Sequence, residues 1–340
     1  MKLIKTVDAE GYVLQHDITQ ILPGEFKGRA FKKGHIITKE DIPKLLSLGK
    51  DHIYVFELGD VGVHENDAAI ILGNVGRGKY VATSSEIKEG KINFTSLTDG
   101  ILKINKNKLL ELNMLGEMSF ATLPNNYPIK KGQHIASARV IPLVIDKKKM
   151  DKVQEIIKRP LVSVRPFKTY KVGIIITGNE VFYGRIEDKF SEVIKRKVGE
   201  YNCSIVGQLF CPDDKEIIKQ SAQQLLRQGA DMLIFTGGMS VDPDDLTPTS
   251  IIELGGELVT YGAPVLPGSM FLLSYLGDIP MMGLPGCVMF AGRTIFDLVL
   301  SRIMTGEKLT KKDIMSYGNG GLCQNCELCT YPNCGFGKQG

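Results

Sequence analysis

The run Thr236-Gly237-Gly238-Met239-Ser240-Val241-Asp242-Pro243-Asp244-Asp245 sets two glycines and a serine beside three aspartates. Glycine N–H groups approach an anion closely, and the start of a following helix favours negative charge. Three carboxylates in the same loop would repel that anion unless a divalent cation lies between them. The composition therefore points to a phosphate held together with Mg²⁺. A second run, Thr177-Gly178-Asn179-Glu180, has the same Thr-Gly opening and an acid. A plainer reading makes the glycines tight turns and the aspartates caps of the next helix. It accounts for Asp244 or Asp245, but not for two apolar runs that both end in Thr-Gly. All five histidines (His16, His35, His52, His64 and His134) precede residue 171. A site beyond that point is left with carboxylates, metal and backbone donors, a set suited to phosphoryl, adenylyl or oxoanion transfer.

Four of the seven cysteines, Cys323, Cys326, Cys329 and Cys334, crowd the C-terminal stretch. Gaps of two residues let one loop present three thiolates to one centre, with Cys334 completing the set. The spacing is close to the ferredoxin arrangement for an iron–sulfur cluster, with a longer last gap. A Cys₄ zinc site is the rival, and zinc ribbons use two separated pairs. Unliganded thiols are the third possibility. The segments Lys311-Lys312 and Gly318-Asn319-Gly320-Gly321 suggest a flexible tether, making the tail an appended module. One decoy is set aside. Gly73-Asn74-Val75-Gly76-Arg77-Gly78-Lys79 fits P-loop spacing, but Tyr80 stands where a magnesium-binding Ser or Thr is needed, so a hairpin turn is expected.

The elements that must position these residues follow from periodicity. Before residue 60, Ile42–Gly49 reads as a short helix with a glycine stop and His52–Phe56 as a strand, with a turn signal at Leu22-Pro23-Gly24-Glu25. Residues 61–146 look β-rich, with strands at Ala68–Leu72, Lys79–Thr83, Gly100–Ile104, Ser119–Leu123, His134–Val140 and Leu143–Ile145, a pattern for a small barrel or sandwich. Asp146-Lys147-Lys148-Lys149 marks a boundary, followed by a mostly polar stretch to Tyr170. Strands and helices then alternate. Strands are expected at Val172–Thr177, Ser204–Phe210, Asp231–Phe235, Met270–Tyr275 and Pro280–Gly283. Helices are expected at Asp188–Tyr201, Pro212–Gln228, Thr247–Leu254 (Thr247 as N-cap) and Cys287–Met304. In Asp188–Tyr201, the residues Phe190, Val193, Ile194, Lys197 and Val198 recur near helical spacing. The fold class is α/β, a mostly parallel sheet with helices on both faces, preceded by a smaller α+β segment and a β-rich domain. The expected domains are 1–60, 61–168 (β-rich domain and linker), 169–310 and a cysteine tail at 311–340.

The 340 residues, 43% hydrophobic and 24% charged, suit an ordinary multidomain globular protein. A net charge of +4 gives no reason to expect nucleic acid. Met270–Gly286, the most apolar later stretch, is interrupted by Asp278 and Pro280, so no membrane span is expected. With no signal-like N-terminus, a cytoplasmic location is expected.

From Lys171 to Gly306 the chain resembles the molybdopterin-binding domain of molybdenum-cofactor biosynthesis proteins. The resemblance rests on Thr177-Gly178-Asn179-Glu180, Thr236-Gly237-Gly238-Met239-Ser240 with Asp245, Pro264-Val265-Leu266-Pro267-Gly268-Ser269 and Gly283-Leu284-Pro285-Gly286, in that order. More loosely, Gly28–Gly34 and Gly49–Val55 are similar to the first domain of the molybdopterin molybdotransferases. The resemblance implies molybdopterin, free or adenylylated, as ligand. Thr177, Gly178, Thr236, Gly237, Gly238 and Ser240 would line its phosphate end. Catalytic Glu180, Asp242 and Asp245 would hold Mg²⁺ or polarise molybdate, and Asp188 would face the same cleft. Pro267, Gly268, Ser269, Pro285 and Gly286 would form the opposite wall.

The chain departs from the family at three places. Cys287-Val288 follows Gly286 where the family often has Asn-Pro. Lys189-Phe190 follows Asp188 where an asparagine is frequent. The loop Val241–Thr247 looks closer to adenylyltransferase and nucleotide-hydrolase relatives. Cys287 is a buried small residue at a helix start or, alternatively, a thiol ligand. The expected function is a step in molybdenum-cofactor biosynthesis, insertion of molybdate into molybdopterin with Mg²⁺, by a homo-oligomer serving molybdoenzyme apoproteins. The alternatives are a non-catalytic molybdopterin carrier or sensor with a metal-binding tail, and a nucleotide hydrolase.

Overall fold

Successive side chains of the Lys171–Thr177 strand point to opposite faces of its sheet, and both faces are apolar. Ile174 and Ile176 enter one core, and Ile175 enters another. A strand buried on both faces must be sandwiched by helices, as parallel strands usually are. The computed structural model, which describes residues 2–22, 26–55, 62–240, 242–243 and 245–338, contains such a sheet. The turn at Pro23–Glu25, the strand end at Phe56 and the loop positions Val241 and Asp244 fall outside the described residues.

The sheet has six strands, numbered here within it: β1 Lys171–Thr177, β2 Ser204–Cys211, β3 Met232–Thr236, β4 Glu257–Tyr261, β5 Leu272–Leu276 and β6 Ile279–Leu284, in the order β2-β1-β3-β6-β5-β4. Pairings β2·β1, β1·β3 and β3·β6 are parallel. The pairs β6·β5 and β5·β4 are antiparallel. The sheet is therefore mixed, with its parallel pairings on one side and its antiparallel pairings on the other. The cause is local: β5 and β6 are joined only by Gly277-Asp278, with Gly277 at φ +62°, and a two-residue turn permits only antiparallel pairing. Strand β4 lies outside the elements expected from spacing.

Helices cover both faces. On one lie α1 (Phe190–Gly199) and α4 (Ile295–Ile303), packing Ile194, Val198, Phe296 and Val299 against Ile174, Ile176 and Ile234. On the other lie α2 (Lys215–Arg227) and α3 (Thr247–Glu253), with Ile218, Ala222, Leu225 and Ile251 against Ile175, Leu233 and Phe235. The expected Cys287–Met304 helix is broken. Gly286–Met289 forms one 3₁₀ turn, and α4 restarts at a Thr294/Asp297 capping box. Thr247 lies inside α3 rather than capping it, with Leu246 at the N-cap.

Lys197, which spacing places on the inner face of α1, is 1% exposed. Its Nζ donates to both Asp297 oxygens at 2.6 and 2.8 Å and to the Gly292 carbonyl at 3.2 Å. Arg293 reaches the same carboxylate at 2.9 Å, and the Thr294 N–H donates to it at 2.8 Å.

The C-terminal stretch is not tethered loosely. Lys311–Met315 is helical, capped by Thr310 and Asp313, and Arg302 holds Asp313 at 2.7 Å. Tyr317 and Phe336 are buried in the α1/α4 core. Glycines 320 and 321 provide close approach rather than flexibility. A Cβ on Gly321 would overlap the Tyr317 and Pro264 carbonyl oxygens, and one on Gly320 the Lys338 carbonyl.

The chain folds as two compact units, the second comprising Ser96–Ile104, Leu123–Gln133 and Val164 onward. In the first, the Lys2–Lys5 and His52–Val55 strands pair, and the Asp41–Ser47 helix ends near Gly49 at φ +72°. A four-stranded sheet orders Val81–Thr83, Lys91–Ser96, His134–Val140 and Met118–Thr122. Ala68–Leu72 belongs to a helix, Glu65–Gly76, which also takes in the first four residues of the P-loop decoy in place of a hairpin turn. Its buried residues Ala68, Ala69, Leu72, Gly73 and Gly76 fall at helical spacing, and Gly73 and Gly76 admit Ile92 and Phe120 to its surface. Asp146 caps a further helix, Lys147–Ile156.

Two stability outcomes follow. Asp297→Ala strands the buried Lys197 charge and should cost about 3–5 kcal/mol in urea titrations. Lys197→Met should cost less, since Asp297 keeps Arg293 and the Thr294 N–H. Burial opposes ionisation of Asp313, but hydrogen bonds from Thr310 and Arg302 outweigh it and hold the carboxyl at about 2, below its ordinary 3.8. Its contribution is present above pH 3.8 and is lost as pH falls through about 2. Wild type and Asp313→Asn should differ at pH 5 and converge near pH 2 in the same titration.

Candidate functional site

Register puts the strand ends at one edge of the sheet. Thr177 lies opposite Cys211, Ile176 opposite Thr236, and Thr236 opposite Leu284. The segments that follow, Gly178–Glu180, Pro212-Asp213, Gly237–Ser240 and Pro285-Gly286, therefore leave the sheet side by side. Strand β5 begins at Leu272 opposite Gly283, and β4 ends at Tyr261 opposite Leu272. The turn carrying Pro267, Gly268 and Ser269 thus stands at the same edge. This is the carboxyl edge of the parallel strands, where open α/β sheets take ligands.

The two Thr-Gly loops are in direct contact. Gly237, at φ +86°, lies so near Thr177 that a Cβ would overlap its carbonyl oxygen. Gly238 (φ +51°) lies where a Cβ would be 3.0 Å from Thr247 Oγ1 and 3.2 Å from Thr177 Oγ1. Those hydroxyls are buried and 2.8 Å apart, and Thr177 Oγ1 also lies 3.3 Å from the Thr236 carbonyl. Thr236 Oγ1 is buried with no hydrogen-bond partner among the described residues. Met239 packs its Sδ and Cε over Gly283, joining this loop to β6.

The carboxylates divide by environment. The Ser240 N–H donates to Asp245 Oδ2 at 2.6 Å, and the Asp245 N–H to the Asp242 carbonyl at 3.0 Å, so Asp245 braces its own loop. Asp188 accepts from the N–H groups of Phe190 (2.8 Å) and Ser191 (3.3 Å) and from the Ser191 hydroxyl, so it anchors the start of α1. Glu180 and Asp242 are exposed, and the Glu180 carboxylate folds back over Gly178. Pro285 is buried, Gly286 exposed, and Gly268 (φ +122°) lies against Ile295 at the start of α4. Cys287 is half-buried in the 3₁₀ turn, and burial pushes its thiol up.

Two site residues escape the spacing. Asp213 Oδ2 accepts from the Asn179 N–H at 3.0 Å, and its own N–H donates to Asn179 Oδ1 at 3.3 Å, pinning the first loop to β2. Its position after an apolar run, like that of Gly178 and Gly237, is the available signal. The Tyr261 hydroxyl donates to the Met239 and Ser240 carbonyls at 3.1 and 3.3 Å. Burial and the nearby Asp245 carboxylate push that phenol up.

The four C-terminal cysteines line a single cavity of about 350 Å³ together with Gly292, Arg293 and Tyr331. All are free thiols; Cys326 and Cys329 are exposed. Among the described residues, no three His, Cys, Asp or Glu side chains gather as a metal-ion site.

Glycine loops at the carboxyl edge of an α/β sheet expose backbone N–H donors that can bind an anionic ligand. Residues 173–305, the α/β domain, match the family model "Probable molybdopterin binding domain". Residues 3–57 match a domain of unknown function. The chain is 27% identical over 161 residues to the molybdopterin molybdenumtransferase of Haemophilus influenzae, covering 45% of this chain and 39% of that one. It is 30% identical over 90 residues to a CinA-like protein of Mycobacterium sp. (strain JLS), covering 26% of this chain and 21% of that one. The chain spans less than half the length of these relatives. Among solved structures, the molybdopterin biosynthesis moea protein from Pyrococcus horikosii is 16% identical at a TM-score of 0.33, covering 72% of this chain and 79% of that one. The tungsten cofactor synthesizing protein MoaB from Pyrococcus furiosus is 20% identical at 0.33, covering 40% and 93%. Among the described residues no helix is long and apolar enough to cross a membrane.

The tight approach at Gly237 can be separated from its backbone conformation. Gly229 has nearly the same φ, +91°, but nothing within 4 Å of a Cβ. Gly229→Ala should cost about 1 kcal/mol, the strain of a left-handed residue. Gly237→Ala should cost at least about 2 kcal/mol more through overlap, read as the shift in urea midpoint.

Proposed function

We propose that the chain acts in molybdenum-cofactor biosynthesis, binding molybdopterin or its adenylylated form at this sheet edge and assisting Mg²⁺-dependent insertion of molybdate. The observation that carries it is the convergence of four segments, Thr177–Glu180, Thr236–Ser240, Pro267–Ser269 and Pro285-Gly286, within the domain matched by the molybdopterin-binding model. Gly237, Gly238 and Ser240 face the phosphate, and Thr177, Gly178 and Thr236 line its base. The unpartnered Thr236 hydroxyl supports a polar occupant, since a buried hydroxyl left unpaired costs about 1–3 kcal/mol. Pro267, Gly268, Ser269, Pro285 and Gly286 form the opposite wall.

The exposed Glu180 and Asp242 carboxylates suit Mg²⁺, which takes one or two protein carboxylates plus substrate phosphate oxygens. The ion would supply charge neutralisation at the phosphate. Asp245 holds Ser240 and the carboxylate loop in place, and Asp188 fixes the α1 edge of the cleft. That these two acids are already hydrogen-bonded favours a second reading, a carrier that binds molybdopterin without turnover.

Incubating the purified chain with adenylylated molybdopterin, molybdate and Mg²⁺ distinguishes the two. AMP release that requires both molybdate and Mg²⁺, and falls more than about tenfold in Glu180→Gln and Asp242→Asn, is expected for the enzyme. Tight binding without AMP identifies the carrier. No binding of either pterin form overturns both.

A further inference from the structure

We propose that Cys323, Cys326, Cys329 and Cys334 ligate one polynuclear iron–sulfur cluster, in a cavity built into the α/β domain rather than on a separate module. Spacing alone leaves zinc and iron–sulfur open; the room shared by the four cysteines favours the larger group. A tetrahedral Zn²⁺ with Zn–S near 2.3 Å draws its sulfurs to roughly 3.8 Å from one another. All four cysteines line one cavity of about 350 Å³. A cluster carries its thiolates on its outer corners, separated by the body of the inorganic core, and needs such a space.

The walls are fixed by interactions independent of any metal. The Leu266 N–H donates to the Gly321 carbonyl at 2.9 Å and the Cys323 N–H to the Leu266 carbonyl at 2.8 Å, adding the tail as a short parallel bridge. The Gly337 N–H donates to the Gly320 carbonyl at 2.9 Å, closing the loop that bears all four cysteines. Phe336 is buried, and Cys323, Cys334 and Tyr331 pack against the same core. Gly292 lies beside Cys329, where a Cβ would make ordinary contact with the Cys329 side chain at 3.7 Å. Arg293 lines the cavity, its guanidinium 5.0 Å from the Tyr331 ring centre.

The test uses the full chain, purified without oxygen and reconstituted with ferrous iron and sulfide. Iron and acid-labile sulfide bound in equal amounts are expected, with broad visible absorption that bleaches on dithionite. Cys326→Ser and Cys329→Ser replace exposed residues and should keep the native circular dichroism while losing the iron and sulfide. Cys203→Ala, outside the cavity, should retain both. One zinc per chain without sulfide overturns the proposal. So does a folded wild-type chain with four reactive thiols and no iron after reconstitution, or retention of the cluster in both serine variants.

Discussion

The buried contact between Lys197 and Asp297 constrains the rest of the α/β domain. Taking an ammonium and a carboxylate out of water costs several kcal/mol per ion, offset only by close and complete hydrogen bonding. Asp297 meets that demand with Lys197, Arg293 and the Thr294 N–H, and Lys197 adds the Gly292 carbonyl. One carboxylate thereby locks α1 to α4, caps α4 and fixes the Gly292-Arg293 turn. That turn is also a wall of the cysteine cavity. The break between the Gly286–Met289 turn and α4 is thus required: a continuous helix would carry Thr294 through a regular turn and remove the cap.

The sheet edge owes its shape to a different economy of space. Threonines end both β1 and β3, and their side chains and carbonyls crowd together because glycine follows each. Tyr261 from β4 and Asp213 after β2 then clamp the two loops from opposite sides. Acids fall into two kinds there. Those bonded to backbone N–H groups, Asp188 and Asp245, give geometry. Those left toward solvent, Glu180 and Asp242, give charge. Residue type alone does not separate them, because an aspartate cap and an aspartate ligand look the same in sequence.

The part of the fold legible in the sequence is the part governed by short-range pattern. Apolar runs bounded by turn residues locate β1, β2, β3, β5 and β6, and helical spacing locates α1, including Lys197. Adjacent Thr-Gly endings indicate that two loops share an edge, because parallel strands require it. Strand β4 escapes such a reading because Glu257–Tyr261 buries only Thr260 and so lacks a full apolar face. Ala68–Leu72 looks like a strand because its five apolar residues are consecutive; only the buried Gly73 and Gly76 extend the helical face, and glycine carries no apolar signal. The tail misleads for the same reason. Gly320 and Gly321 suggest looseness by composition, whereas each admits a carbonyl oxygen that any side chain would exclude. In each case the deciding contact is far away in sequence.

The overlap that forbids a side chain at Gly237 also bears on how a ligand meets the site. Thr177, Thr247 and the glycine loop are packed closely, so the Thr236–Ser240 segment cannot swing away from Thr177 without losing the Thr177 hydroxyl's bond to the Thr236 carbonyl. The entropy of ordering this part of the surface is spent during folding, before any ligand arrives. Any molecule that enters this edge of the sheet therefore meets a preformed surface, and selection by shape precedes any adjustment of the protein.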